Sequence, residues 1–588
     1  MKITFTGNYS ELQDKLSSLS GEWEENQPNK KVFKLNGVVM NWFETTGTIQ
    51  FQGKPRLKEQ TENIIKHCLY PEDFEKVEDT ILNIEHTAVE ISQPNIVEKE
   101  QSISDQYLHD DFDKSEIVIG LVSAVGTEIF RVLTPLTDRL KGFGYDVIEI
   151  KASALLPKPP DRCNEYERIK HYMTEGDQIR KSSNNNGILA YGAVKLITEN
   201  RHQPLKKTAY IINSLKHPDE VSLLRKVYGQ GFYLIGIHSD KIRRINYLTN
   251  DKGMSQKHAT ELVNIDEDEK IKHGQKTRDT FHLSDFYLNF GKNDDQVKNT
   301  IQRFLELIFS HPYKNPTFDE FAMYMAFSSS IRSGDLSRQV GAVISKNKQI
   351  IATGANEVPS GGGGHYWSEI NEETGVVYDI ADGKDYMRFE DSNKIQQKEI
   401  IESLKNSISE IEGIDASLID KITEKLKNSR INDLTEFGRV VHAEMQAILS
   451  CAKEGISCSS ATLFCTTFPC HNCAKHLIAS GINRVVYVEP YPKSKALEFH
   501  SESICTDTKD QTKNSVLFEP FIGVGARRFL DFFSMSSGAG SKLKRKNKDG
   551  TTLDWDKDKA KLRVTLLPES YLEVEKSAIK LYTDSIKN

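Results

Sequence analysis

Four side chains in this sequence could do chemistry together. His442 and Glu444 stand two apart in VHAEMQAIL, residues 441–449, and Cys470 and Cys473 stand three apart in CTTFPCHNC, residues 465–473. A C-x-x-C pair can exchange a disulfide, ligate a metal or do neither. Two thiolates and one imidazole supply three ligands of a tetrahedral zinc and leave a fourth position for water, the layout of a catalytic rather than a closed structural site. Zinc lowers the pKa of such a water towards about 7. A carboxylate that is not a ligand, here Glu444, can then carry the proton. A redox pair needs no H-x-E upstream and leaves Glu444 without a task.

The elements around these residues must bring them together. Val441, Met445, Ile448 and Leu449 recur at helical spacing. Residues two apart on a helix point about 200° from each other, from roughly 100° per residue. His442 and Glu444 can therefore border one pocket only near a helix N-terminus, from different sides. Downstream, ATLFCTT reads as a strand ended by Phe468-Pro469, and CHNCAKHLIASG reads as an amphipathic helix stopped by Gly481. This puts both cysteines in a first helical turn, where the positive end of the dipole favours thiolate. The combination H-x-E…P-C-x-x-C is the signature of zinc deaminases, in which the glutamate serves as the proton shuttle for attack on the ring carbon that bears the amine. The expected cofactor is Zn2+, held by His442, Cys470 and Cys473, with Glu444 catalytic.

Composition sets the outer bounds. The chain has 588 residues, 38% hydrophobic and 27% charged, with a net charge of −7 and eight cysteines. That composition suits a soluble globular protein of several domains and excludes a disordered chain. An acidic balance gives no global attraction to nucleic acid or anionic lipid. Sparse cysteines, no apolar leader and no long apolar run lead us to expect a reduced, cytoplasmic protein with no membrane partner.

Three regions are expected. Residues 1–105 carry KVFKLNGVVMNWFETTGTIQFQG, strands joined by Asn-Gly and Thr-Gly turns, and a helical LKEQTENIIKHCL: a small α+β domain. Acidic residues 93–115 read as a linker. Residues 116–305 alternate apolar runs with helices (EIVIGLVSAVG, FRVLTPLTDRLKGFG, YDVIEI, then TAYIINSL and FYLIGIHS), so an α/β domain on a parallel sheet is expected. Residues 315–588 hold a helix (FDEFAMYMAFSSSIRS), two strands in VGAVISKNKQIIATGAN, an insertion at about 360–435 opening with GGGG, and the four chemistry-bearing residues. Lys542–Lys548 (KLKRKNK) is a short basic run, read as a solvated loop or a phosphate contact.

The upstream SRQVGAVISKNKQIIATGANEVPSGG, the PC-x-x-CA segment and GINRVVYVEPY together resemble the deoxycytidylate deaminase family over roughly 318–358 and 437–492. The resemblance implies a cytidine-deaminase-like α/β/α domain with a mixed sheet of about five strands. It also implies that Asn356, in a G-x-N-x-x-P loop with Pro359, lies against the substrate's sugar. The whole architecture resembles bacterial antiphage deoxycytidine-nucleotide deaminases, in which a degenerate nucleoside-monophosphate-kinase-like domain with a parallel sheet precedes the zinc domain. INSLKHPDEVSLLRKVYG and DTFHLSDFY support that wider match. It implies conversion of dCTP to dUTP and of dCMP to dUMP, starving phage DNA synthesis of dCTP.

Phosphates favour arginine. Arg338, beside the V-G-A-V strand, and Arg527 and Arg528, after a glycine turn, are candidate phosphate contacts, each with a surface ion pair as the alternative. Gly120–Thr127 reads GLVSAVGT. A working phosphate loop is G-x-x-x-x-G-K-[ST]. In this chain the second glycine comes one place late and no lysine precedes Thr127. Gly120, Ser123, Gly126 and Thr127 are thus candidates for a regulatory nucleotide site at a helix N-terminus, or simply for a turn; phosphoryl transfer is not expected. Expected partners are dCTP and dCMP, a regulatory nucleotide at this loop, an inhibitor RNA or protein, and a second copy in a homo-oligomer. The competing readings are a single-stranded nucleic-acid cytidine deaminase and a nucleotide-sensing module built on an inactive deaminase fold.

Overall fold

A computed structural model describes residues 3–70 and 115–566, apart from positions 18, 20, 28, 36–37, 54–57, 59–60, 63–64, 67, 202–206, 268–272, 291–293, 390, 435, 490–493 and 513. The linker expected at 93–115 lies outside the described residues except for Ser115, as does part of the helix expected at 57–69. The chain divides into two compact units, Met1–Glu100 and Gln101–Asn588.

The first unit is a five-stranded antiparallel sheet, in the order Ile3–Thr4, Thr48–Gln52, Val38–Phe43, Lys30–Leu35, Glu22–Gln27. The helix Tyr9–Lys15 starts at Asn8, whose side chain accepts from the Glu11 amide while Glu11 reaches back to the Asn8 N–H, a capping box. Trp42, fully buried with Phe33, Met40 and Leu12, donates its indole N–H to the Phe5 carbonyl at 3.1 Å.

The second unit carries two six-stranded sheets. In the first, Ile117–Ser123 is central and wholly buried, as a continuous apolar run on a two-sided parallel sheet must be. Thr208–Asn213 and then Asp146–Lys151 lie on one side of it, and Phe232–His238 and then Phe286–Asn289 on the other, all parallel. The order therefore reverses at the central strand, and the Ser123–Thr127 loop leaves its carboxyl end at this switch point. The far edge is closed by Gly523–Val524, antiparallel to Phe286–Asn289, a strand from the C-terminal segment that no local pattern announced.

The second sheet runs Gln349–Ala355, Gly341–Lys346, Thr462–Thr467, Arg484–Glu489, Val516–Pro520, Ile504–Cys505, with antiparallel pairing at the first three and parallel pairing after. It has six strands where about five were expected. The Phe318–Ser330 helix covers one face and Ala443–Lys453 the other. Thr317 caps the first of these helices in a box with Glu320, the S/T-x-x-E pattern of TFDE. Glu320 also accepts from the Val524 amide at 3.1 Å and from Arg303 at 2.6 Å, so this helix start holds the shared edge strand. Ala322, Met323 and Ala326 of the same helix join Phe464, Phe521 and Tyr287 in one core that runs on into the parallel sheet. The insertion forms a small exposed hairpin, Glu369–Ile370 with Val377–Tyr378, and two helices, Ser392–Ser409 and Ala416–Lys427.

Candidate active site

Gln349–Ala355 and Thr462–Thr467 both flank Gly341–Lys346 in antiparallel register, so their carboxyl ends share one rim of the sheet. Both site helices start at this rim. A backbone bridge, Glu357 N–H to Val441 O at 3.2 Å and Val441 N–H to Glu357 O at 3.0 Å, ties the first helix entry to the strand end. His442 is the N-cap of Ala443–Lys453, with extended backbone, and Glu444 lies in its first turn. Cys470 is the N-cap of His471–Ala479 and accepts from the Cys473 amide at 3.4 Å. Because His442 precedes the helix proper, the two-residue spacing no longer separates it from Glu444: both line one cavity of about 200 Å³, together with Cys470.

His442 Nδ1 lies 3.4 Å from each of Cys470 Sγ and Cys473 Sγ, and Cys473 Sγ lies 3.6 Å from Glu444 Oε2. One imidazole and two sulfurs, all within 4.8 Å of one another, fit the protein ligands of a zinc ion. The electrostatics suit a cation. The Cys470 thiol is pulled down to about 3, first by the hydrogen bond with Cys473 and then by His442. The same bond, with burial, pushes Cys473 up, so cation binding must release a proton from this pair. Burial raises the Glu444 carboxyl, which is only 3% exposed.

Asn356 and Arg338 also line this cavity. The Asn356 amide holds its own surroundings: Oδ1 accepts from the Val340 N–H at 2.6 Å and Nδ2 donates to the Arg338 carbonyl at 2.8 Å. Arg338 is half-exposed and lies 3.5 Å from Glu489. Thr467, which sequence reasoning passed over, stands on the same wall with its hydroxyl buried and unpartnered among the described residues. Its place at the end of ATLFCTT, three before Cys470, was the available signal.

Two expected phosphate contacts lie elsewhere. Arg528 is 1% exposed, and donates to the Gln230 carbonyl at 2.7 Å, the Phe232 carbonyl at 2.8 Å and Asp531 at 3.0 Å. It corrects the expectation: a buried guanidinium whose donors are held by the Gln230 and Phe232 carbonyls and by Asp531 braces the fold and has no face for a nucleotide. Arg527 is half-exposed, 3.7 Å from the buried Asp285, and is absent from the cavity wall.

Ser123, Gly126 and Thr127 line a second cavity of about 360 Å³. Gly120 does not, and is a further correction. It lies inside the central strand, where a Cβ would meet Leu215 Cδ1 at 2.6 Å and the Phe232 ring at 2.8 Å, so packing explains this glycine. The loop is satisfied from within the chain. The Val125 amide donates to Asp266 Oδ2 at 2.8 Å, and Lys216 Nζ bridges Asp266 Oδ1 at 2.9 Å and the Ser123 carbonyl at 2.8 Å. A lysine distant in sequence thus stands beside a loop that has none of its own, already paired with a buried carboxylate.

The family model for the cytidine and deoxycytidylate deaminase zinc-binding region matches residues 316–489. Deoxycytidylate deaminase of Enterobacteria phage T4 is 33% identical over 173 residues, 29% of this chain and 78% of the relative. The same enzyme of Enterobacteria phage T2 is 32% identical over 173 residues, covering 29% and 80%. The crystal structure of dCMP deaminase from cyanophage S-TIM5 in complex with dCMP and dUMP aligns at 21% identity over 36% of this chain and 100% of that one, with a TM-score of 0.20, too low to support an argument from shape. With the matched region enclosing His442, Glu444, Cys470 and Cys473, the chain belongs to the cytidine and deoxycytidylate deaminase family.

Proposed function

We propose that the protein hydrolytically deaminates deoxycytidine nucleotides, dCMP to dUMP and dCTP to dUTP, and that its biological effect is to withdraw dCTP from phage DNA replication. The observation that carries the reading is the convergence of His442, Cys470 and Cys473 beside a buried Glu444, with His442, Glu444 and Cys470 on the wall of one cavity. Phage relatives named as deoxycytidylate deaminases support the substrate class.

His442, Cys470 and Cys473 would hold zinc, which when bound supplies a water acidified towards about pH 7. Glu444 takes one proton from the water that adds to C4 of the cytosine ring and delivers it to the ring nitrogen; it then takes the remaining proton of the added hydroxyl and passes it to the amino group, so that C4=O forms as the C4–N bond breaks and ammonia leaves. Burial raises the Glu444 carboxyl, the direction that makes it a better proton acceptor. Asn356, tied to the Arg338–Val340 backbone, orients the sugar side of the pocket, and Arg338 offers a cation to phosphate. The cavity at Ser123–Thr127, with Arg180 and Lys216 on its wall, is our candidate for a regulatory nucleotide. Lys216, the lysine that stands beside the loop, is bound to Asp266, so the reading is of nucleotide binding there and not of phosphoryl transfer.

The test is to incubate the purified protein with dCMP, dCTP, CTP and a cytosine-containing oligonucleotide, and to resolve the products by mass. Loss of one amine from dCMP and dCTP, abolished by a chelator and restored by zinc, is the expected result. Turnover of the oligonucleotide alone would replace this reading with a nucleic-acid deaminase. Turnover of none would leave a sensing module.

A further inference from the structure

The zinc-site cavity is not the only hollow at this rim. Adjoining it is a cavity of about 330 Å³, and Arg338, Val340 and Thr467 line both. The parallel-sheet half of the same unit adds Arg278, Asp279 and His282, in and just after the short Thr277–Phe281 helix, and the zinc half adds Phe327, Gln339, Thr466 and Glu489. Three donors meet there without full partners. The Thr467 hydroxyl and His282 Nδ1 are buried and unbonded among the described residues. Arg278 donates from Nε and Nη2 to Asp279 at 3.1 and 3.0 Å, and its Nη1 has no bond among the described residues. A fourth donor, Arg338, lines the same wall beside Glu489, 3.5 Å away. A partly open space lined by two arginines, each beside a carboxylate (Asp279, Glu489), with an imidazole and an unpartnered hydroxyl, matches an oxyanion with several acceptors that draws the arginines from those carboxylates.

We propose that this second cavity is a subsite for the terminal phosphates of a nucleoside triphosphate whose base occupies the zinc-site cavity. Arg278 carries the discrimination between tri- and monophosphate. Arg338 and Thr467 are common to the walls of both cavities. The parallel-sheet half of the unit thereby contributes a substrate-selecting residue to a reaction whose chemistry lies wholly in the other half. The proposal rests on the deaminase reading above and refines it.

The experiment compares wild type, Arg278→Gln and Arg278→Lys of the full chain. The first readout is kcat/KM for dCTP and dCMP; the second is binding of inorganic tripolyphosphate by calorimetry, which needs no turnover. Arg278→Gln is expected to lower the dCTP-to-dCMP ratio of kcat/KM at least about tenfold, the size of one lost charge-assisted hydrogen bond. It should weaken tripolyphosphate binding to match, with Arg278→Lys recovering part of both. Equal losses for dCTP and dCMP, or an unchanged ratio with unchanged tripolyphosphate binding, would overturn the subsite. If wild type deaminated no nucleotide, the deaminase reading would fall, and the tripolyphosphate arm alone would decide the subsite.

Discussion

Gly354 gives the sharpest handle on how the fold places the metal ligands. It lies in the Gln349–Ala355 strand under the Ala443–Lys453 helix. A Cβ at 354 would stand 2.0 Å from the Ala443 carbonyl oxygen and 2.8 Å from the Ala447 nitrogen, both backbone atoms that cannot turn aside. Moving the nearer one from 2.0 Å to an ordinary contact at 3.4 Å displaces the first helical turn by roughly 1.4 Å. That turn begins at His442 and carries Glu444. Overpacking of this kind costs about 1–3 kcal/mol, and misplacing catalytic groups by about 1 Å costs on the order of 100-fold in rate. Gly354→Ala should therefore lower kcat/KM for dCMP at least about 100-fold and raise the free zinc needed for full occupancy. Gly341→Ala is the matched control. Its Cβ would meet the Ala326 carbonyl at 1.9 Å and the Ser330 nitrogen at 2.7 Å, on a helix that carries no metal ligand. It should lose comparable stability in a thermal melt and keep its zinc affinity. Equal loss of zinc affinity in both variants, or wild-type turnover in Gly354→Ala, would refute the claim that close approach at 354 sets the ligand geometry.

Three other outcomes follow. Glu444→Gln, isosteric and unable to carry the proton, should retain zinc by elemental analysis and lose about 10²–10⁴ in turnover; a near-native rate would remove Glu444 from its role. Arg528→Met should destabilise the chain by about 3–5 kcal/mol in urea unfolding, because it strands Asp531 and the buried Phe232 carbonyl; a change in nucleotide KM without loss of stability would return Arg528 to the phosphate site. His217 caps the Pro218–Tyr228 helix, accepting from the Asp219 amide, and burial pushes it down to about 4. Below about pH 6.5 the unfolded chain takes up a proton that the folded chain excludes, so this contribution is full above about 6.5 and is lost as pH falls towards 4. The urea midpoint should drop between pH 7 and 5, and drop less in His217→Asn, which keeps a capping acceptor; identical pH slopes would exclude His217 as a source.

Local patterns reached the elements and the chemistry. The buried strands at 117, 208 and 232 are legible because a strand covered on both faces must be apolar throughout. His442, Cys470 and Cys473 are legible because few residue types ligate zinc and their spacing is set by helix starts. The tertiary structure decided what depends on distant segments meeting. Gly523–Val524 closes a sheet whose other strands end more than 200 residues earlier, and so short a strand has no period to read. Arg527 and Arg528 are adjacent in sequence, yet one is half-exposed and the other wholly enclosed, because only the packing of the Phe232–His238 strand brings a buried carbonyl to Arg528. Lys216 and Asp266, 50 residues apart, complete a loop that looked merely deficient. Residue type and spacing singled out the ligand set and the proton carrier that we propose for this protein. Long-range packing decided which cations face a cavity, since a charge is free for substrate only where the fold leaves it without a buried partner.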